Sequence, residues 1–209
     1  MVDIRLNITY ELTVEHNHGK KSLLLGEYHI RERIPKEEIR QQVKKIARDI
    51  TSEYQNREPV LIGVLNGVFL FFADLVKEIA IPVIIDFVRV ASYGPQNVSS
   101  GKITFTKDVE VSIKGKPVII VEDIIDTGLT LSFLVNHIKA REPESVKVCA
   151  LINKLERREK EIEIDYWGFK IEKGFLVGYG LDYNEQFRYL PYIGSLEMGH
   201  QSEENGHGN

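Results

Sequence analysis

The chain has 209 residues, enough for one well-buried α/β domain with little left for a second. Its hydrophobic content of 43% and charged content of 28% are ordinary for a water-soluble protein, and a net charge of −4 argues against a nucleic-acid partner, for which a basic face is expected. The single cysteine, Cys149, lies in an apolar run and excludes an intrachain disulfide framework; no segment reads as a secretory leader or a bilayer-length span, so no membrane partner and a cytoplasmic location are expected.

In chain order, residues 3–14 alternate, with Ile4, Leu6, Ile8, Tyr10, Leu12 and Val14 on one face, which predicts a half-buried strand. His16-Asn17-His18-Gly19 reads as a turn, and 21–30 as a returning strand. Two histidines without a neighbouring acid or cysteine make a poor metal site, so an exposed turn is the simpler reading. Pro35 opens a helix on which Ile39, Val43, Ile46, Ile50 and Tyr54 share a face. Residues 59–65 form a buried strand, Asn66-Gly67 a turn and 68–79 a helix; 82–90 form a further strand. The stretch 94–101, rich in Gly, Pro, Asn and Ser, reads as a mobile loop of the kind that closes over active sites, and a β-rich segment, 103–113, follows it.

Residues 116–138 carry the chemistry. The β-branched run 118–121 reads as a strand buried on both faces, and it ends in Glu122 and Asp123, with Asp126 after two isoleucines. Thr127-Gly128-Leu129-Thr130 then supplies two hydroxyls, a glycine that permits close backbone approach, and the free N–H groups of a helix on which Leu131, Leu134, Val135 and Ile138 share a face. Such a loop at a helix N-terminus favours phosphate. Three acids beside a phosphate would repel it unless they bind hydroxyls of the same molecule or act through a divalent cation, so a phosphorylated sugar meets both demands. Asp123 and Asp126 stand three apart, not the two of a phosphatase Asp-x-Asp motif, and no Gly-Lys-Ser/Thr follows as in a nucleotide-triphosphate loop.

Beyond it, 145–153 predicts a strand that delivers Lys154 at its C-terminal end, and the charge run 156–163 reads as a solvated loop and no more. Residues 164–179 are aromatic and β-rich, and 195–209, nearly devoid of apolar residues, is expected to be disordered. Strands alternating with helices predict an α/β fold with a mainly parallel sheet, its ligand at the strands' C-terminal ends, and a small hood built by the segments after Ile164. The expected division is an N-terminal β-rich extension, 1–30, a principal domain, 31–194, and a tail, 195–209.

Val-Glu-Asp-Ile-Ile-Asp-Thr-Gly-Leu-Thr-Leu (121–131) resembles the phosphoribosyl-pyrophosphate motif of purine phosphoribosyltransferases. Lys154, the 175–185 segment Phe-Leu-Val-Gly-Tyr-Gly-Leu-Asp-Tyr-Asn-Glu and Arg188 extend the resemblance to the bacterial hypoxanthine-guanine phosphoribosyltransferase family, over roughly residues 34–194. The resemblance implies a type I phosphoribosyltransferase-like fold with a hood, and transfer of ribosyl phosphate from phosphoribosyl pyrophosphate to N9 of a 6-oxopurine with release of pyrophosphate. It implies Mg2+ held by Glu122, Asp123 and Asp182, and a homo-oligomer, dimer or tetramer. Glu122 and Asp123 would hold the ribose hydroxyls, and Asp126, Thr127, Gly128, Leu129 and Thr130 the 5′-phosphate, with Asp126 also the acid/base. Lys154, Phe175, Leu176 and Asp182 would take the purine, Asn66, Gly67 and Arg188 the pyrophosphate, and Ser92-Tyr93 the lid.

Each role has a plain competitor: Phe175 as core, Asp182 and Arg188 as a surface ion pair, Lys154 as a lysine snorkelling outward. Asn66 stands where many relatives have a basic residue and Ala91 where some have lysine, and the strand at 3–14 lies outside the resemblance. A non-catalytic sensor of the same ligand would carry a DNA-binding helical module or a basic RNA-binding face, and neither is legible. A pyrimidine enzyme on this fold is disfavoured by Lys154 with the Phe175 segment.

Overall fold

The computed structural model describes residues 6–15, 20–92 and 103–198. Two sheets organise it. The larger has six strands: β3 (Val60–Leu65), β4 (Ile84–Ser92), β5 (Ile103–Lys107), β6 (Pro117–Ile125), β7 (Ser145–Lys154) and β8 (Tyr166–Ile171), in the order β5-β4-β3-β6-β7-β8. All neighbours are parallel except β5, which returns antiparallel along β4. The chain leaves β3 for β4 on one side, then crosses back to place β6 on the other. That reversal opens a crevice at the C-terminal ends of β3 and β6, where open α/β sheets bind ligands.

Alternation along the strands builds a core on each face. Leu61, Ile119, Val121 and Leu151 pack with helix α1 (Lys36–Glu53) and helix α2 (Phe69–Glu78). Val60, Ile62, Val118, Ile120 and Ala150 pack on the other side with Leu131, Leu134 and Ile138 of α3 (Leu129–Lys139). Pro35 caps α1, and the expected stripe of Ile39, Val43, Ile46, Ile50 and Tyr54 is buried. Cys149 is a buried core thiol.

The second sheet is antiparallel, in the order β1-β2-β10-β9, from β1 (Leu6–Glu15), β2 (Lys20–Ile34), β9 (Leu176–Val177) and β10 (Ile193–Met198). It differs from the sequence expectation in three ways. The hood is not built by the segments after Ile164 alone, because β8 joins the large sheet beside β7, covering an edge otherwise left unpaired. The N-terminal strands complete the hood instead: β2 pairs with β10, and the proposed boundary at residue 30 falls inside β2. Finally, the start of the expected disordered tail is strand. Gly194↔Glu32, Ser195↔Arg31 and Leu196↔Ile30 satisfy the backbone there, which polar composition does not forbid. The rest of that tail, the His16-Gly19 turn, Tyr93 and the 94–101 loop lie outside the described residues. The β-rich 103–113 segment is strand only as far as Lys107; Val109 and Ile113 are buried in the core without ladder pairing.

Candidate active site

Three loops meet above the crevice, and glycines let them. After β3 comes a cis Leu65–Asn66 peptide and then Gly67, where an added Cβ would stand 1.8 Å from Asp123 Oδ2. Gly180, at φ 101°, lies so close on the other side that its Cβ would stand 1.9 Å from the Gly67 carbonyl oxygen. The ends of β3 and β6 and the 178–188 turn therefore share one point. Arg188 holds that turn: it donates to the Gly180 carbonyl at 2.8 Å and to Glu185 at 2.8 Å, and pairs with Asp182 at 2.9 Å. Asp182 and Arg188 do form an ion pair, in the turn that approaches Asp123 rather than at a remote surface.

Asp123 is buried, and burial pushes its carboxyl up to about 6, partly offset by backbone N–H donors, that of Ile124 first, and by the Arg188 charge. Glu122 precedes it on the strand. Burial, then the Asp123 charge, raises it well above the usual carboxylate range, and its Oε2 is buried without a hydrogen-bond partner. Glu122, Asp123 and Asp182 form no three-donor cation cluster among the described residues. Asp123 and Asp182 do come near enough for the Asp182 charge to act on Asp123. Two carboxylates completed by substrate oxygens suit magnesium, which seldom uses an all-protein cage.

The second loop runs from the end of β6 into α3. Gly128 adopts φ 81° and caps the helix, with Lys160 O 2.5 Å from its would-be Cβ. The left-handed turn aims the first amides of α3 outward, and Thr127 Oγ1 accepts from Leu129 N at 3.3 Å. Thr130 is exposed in the first turn of the helix. Asp126 stands at the loop's start, 3.8 Å from Lys154 Nζ and 3.5 Å from an Arg157 nitrogen, distances of charge contact rather than hydrogen bonding. Its Oδ1 is buried and accepts no hydrogen bond.

Lys154 ends β7 with only 8% of its side chain exposed, so it does not snorkel outward; it lies between Asp126 and Glu156. Phe175 is 50% exposed and meets Tyr183 edge-on at 5.5 Å, which leaves a ring face open and rules out a core role. Leu176 sits in β9, paired with Ser195 on one side and at the sheet edge on the other, so its outer backbone groups are unladdered. Ser92 ends β4.

The 156–163 run is more than a solvated loop. Glu159 N and Lys160 N both donate to the Thr127 carbonyl, at 2.9 and 3.0 Å, and Arg158 donates to backbone oxygens at the ends of β6 and β7. Composition hid this, because the partners are main-chain carbonyls. Tyr179, whose hydroxyl donates to Asp74 at 2.7 Å and fixes the last turn to α2, was likewise unassigned; the Gly178-Tyr179-Gly180 sequence was its one signal.

Comparison with known proteins agrees with this geometry. A model of the phosphoribosyl transferase domain matches residues 32–184. The hypoxanthine-guanine phosphoribosyltransferase of Bacillus subtilis is 46% identical over 164 residues, 78% of this chain and 91% of that protein. The hypoxanthine phosphoribosyltransferase of Salmonella typhimurium is 41% identical over 167 residues, 79% of this chain and 94% of that one. A solved hypoxanthine-guanine phosphoribosyltransferase from Bacillus anthracis superposes with a TM-score of 0.75 at 44% identity, covering 78% of this chain and 96% of the other.

Proposed function

The chain belongs to the phosphoribosyltransferase family, and from that premise we propose that it is a hypoxanthine-guanine phosphoribosyltransferase of purine salvage. It transfers the 5-phosphoribosyl group of phosphoribosyl pyrophosphate to N9 of hypoxanthine or guanine and releases pyrophosphate. The carrying observation is the sheet's switch point, where a phosphate-type loop, a buried lysine and an open aromatic face surround one crevice.

In this reading the Thr127, Gly128, Leu129 and Thr130 amides and hydroxyls hold the 5′-phosphate at the positive end of α3. Phe175 stacks on the base, Lys154 donates to its 6-oxo group, and outward backbone groups of Leu176 meet the base edge. Asp126, poised between Lys154 and Arg157, exchanges a proton with purine N7. Asn66, Gly67 and Arg188 receive the pyrophosphate. Glu122 and Asp123 meet the ribose hydroxyls. Asp123 and Asp182 are the residues that would hold magnesium together with substrate oxygens; when bound, the cation neutralises charge on the pyrophosphate. Ser92 and Tyr93 belong to the segment that would exclude water. In keeping with the family resemblance, the enzyme works as a homo-oligomer, and its polyanionic sugar substrate, which does not cross a bilayer, places it in the cytoplasm. No helix among the described residues is long and apolar enough to span a membrane.

Incubating the protein with magnesium, phosphoribosyl pyrophosphate and hypoxanthine, guanine, xanthine or adenine in turn tests this. Nucleotide and pyrophosphate should appear with hypoxanthine, guanine or both; none with any base would overturn the reading.

A further inference from the structure

Arg158 lies half-buried beneath the loop that joins β6 to α3, its Cδ 3.5 Å from where a Gly128 Cβ would stand. Nε donates to the Asp126 carbonyl at 3.0 Å. One terminal nitrogen shares its protons among the Ile125 carbonyl at 3.0 Å, the Lys154 carbonyl at 2.9 Å and Asn153 Oδ1 at 2.7 Å. Every acceptor is neutral, and no carboxylate pairs with this guanidinium among the described residues. Two consequences follow. A permanent positive charge with no ion-pair partner among the described residues sits behind the loop. And one rigid fork ties the loop carrying Asp126 and Thr127 to the strand end carrying Lys154.

We propose that Arg158 is a positioning residue that locks the phosphate loop to the lysine-bearing end of β7, so that binding of the ribosyl 5′-phosphate and recognition of the purine are coupled. This rests on the phosphoribosyltransferase reading and deepens it. Without the fork, the carbonyls of Ile125, Asp126 and Lys154 lose a shared donor, and the loop is tied to the β7 side only by the Glu159 and Lys160 amides on Thr127 and by the β6–β7 ladder. A displacement of about 1 Å at reacting groups can lower a rate by roughly 10²-fold. Lysine keeps the charge but cannot reach acceptors on both strands at once.

The test compares wild type, Arg158→Lys and Arg158→Ala by calorimetric binding of inosine 5′-monophosphate and of inosine, together with steady-state kinetics. The ratio of the two affinities measures what the 5′-phosphate contributes to holding the base. Both variants should reduce that ratio by about tenfold to a hundredfold and raise KM for phosphoribosyl pyrophosphate. Added guanidinium should partly restore the ratio in Arg158→Ala. An unchanged ratio in both variants, or a lower kcat at unchanged KM and ratio, would overturn the proposal, since a loss of folded protein does only the latter. Should Arg158→Ala fail to fold, Arg158→Lys carries the test, and a wild-type ratio in that variant overturns it. Wild type that binds the nucleotide without making any would defeat the functional reading alone, because the ratio still reads the coupling.

Discussion

Asp126 stands between two cations, Lys154 at 3.8 Å and Arg157 at 3.5 Å, yet its Oδ1 accepts no hydrogen bond. In the proposed reaction it is this carboxylate that exchanges a proton with the purine. Asp126→Asn should therefore lower turnover by roughly 10²–10⁴-fold, read from initial rates; near-normal turnover removes the acid/base role. Asp86 shows a different use of a buried acid. It accepts from Phe87 N and Glu110 N at 2.7 Å each, Lys107 Nζ at 3.0 Å and Val111 N at 3.1 Å, fastening the chain after β5 to β4. Burial pushes its carboxyl up, but these donors together hold it below the usual value. A lowered folded-state pKa means stability that is present above the unfolded value and lost as pH falls through the folded one. Asp86→Asn should cost roughly 1–3 kcal/mol at neutral pH and flatten the loss of stability below about pH 4, seen in urea melts across pH. An unchanged acid limb would show that these bonds contribute nothing.

The loops meet more closely than any side chain between them would allow. Gly180 combines a left-handed φ of 101° with a Cβ position 1.9 Å from the Gly67 carbonyl, whereas Gly115, at φ 68°, has nothing within 4 Å. Gly180→Ala should lose roughly 1–3 kcal/mol and most turnover, because the added methyl pushes the 178–188 turn off Gly67 and Asp123. Gly115→Ala should lose only about 1 kcal/mol and keep its activity. Thermal melts and assays of the pair check this, and equal behaviour would mean that the close approach is unimportant. These contacts explain why elements were easier to read than their meeting points. The β6-loop-α3 unit was legible because strand, glycine turn and amphipathic helix each leave a local pattern. That Gly67 touches Asp123 and Gly180, or that Glu159 and Lys160 brace Thr127, depends on residues far apart in the chain that no pattern links.

At the scale of the molecule, the chain's two ends make one sheet. Ile30 packs with Val177, Phe187, Leu190 and Tyr192, and β2 forms ladders with both β1 and β10. Removing residues 1–19 deletes β1 and leaves the β2–β10 ladder; removing 1–34 also deletes buried Ile30 and Ile34. The shorter truncation should keep activity, while the longer should lose roughly 4 kcal/mol or more, since each buried isoleucine contributes about 2 kcal/mol. Equal melting temperatures would make the N-terminal strands an appendage rather than part of the hood. The sequence by itself determined the α/β class, the parallel strands and the strand-turn-helix order of residues 117–139, because hydrophobic period and residue type act locally. Only the tertiary structure decided that β8 joins the large sheet, that residues 195–198 form a strand and that Asp123 lies against Gly67. It also brought Arg158 onto the carbonyls of Ile125, Asp126 and Lys154. Each of these depends on which backbone groups meet across long separations, and the energy of such a meeting is written in no single stretch of chain.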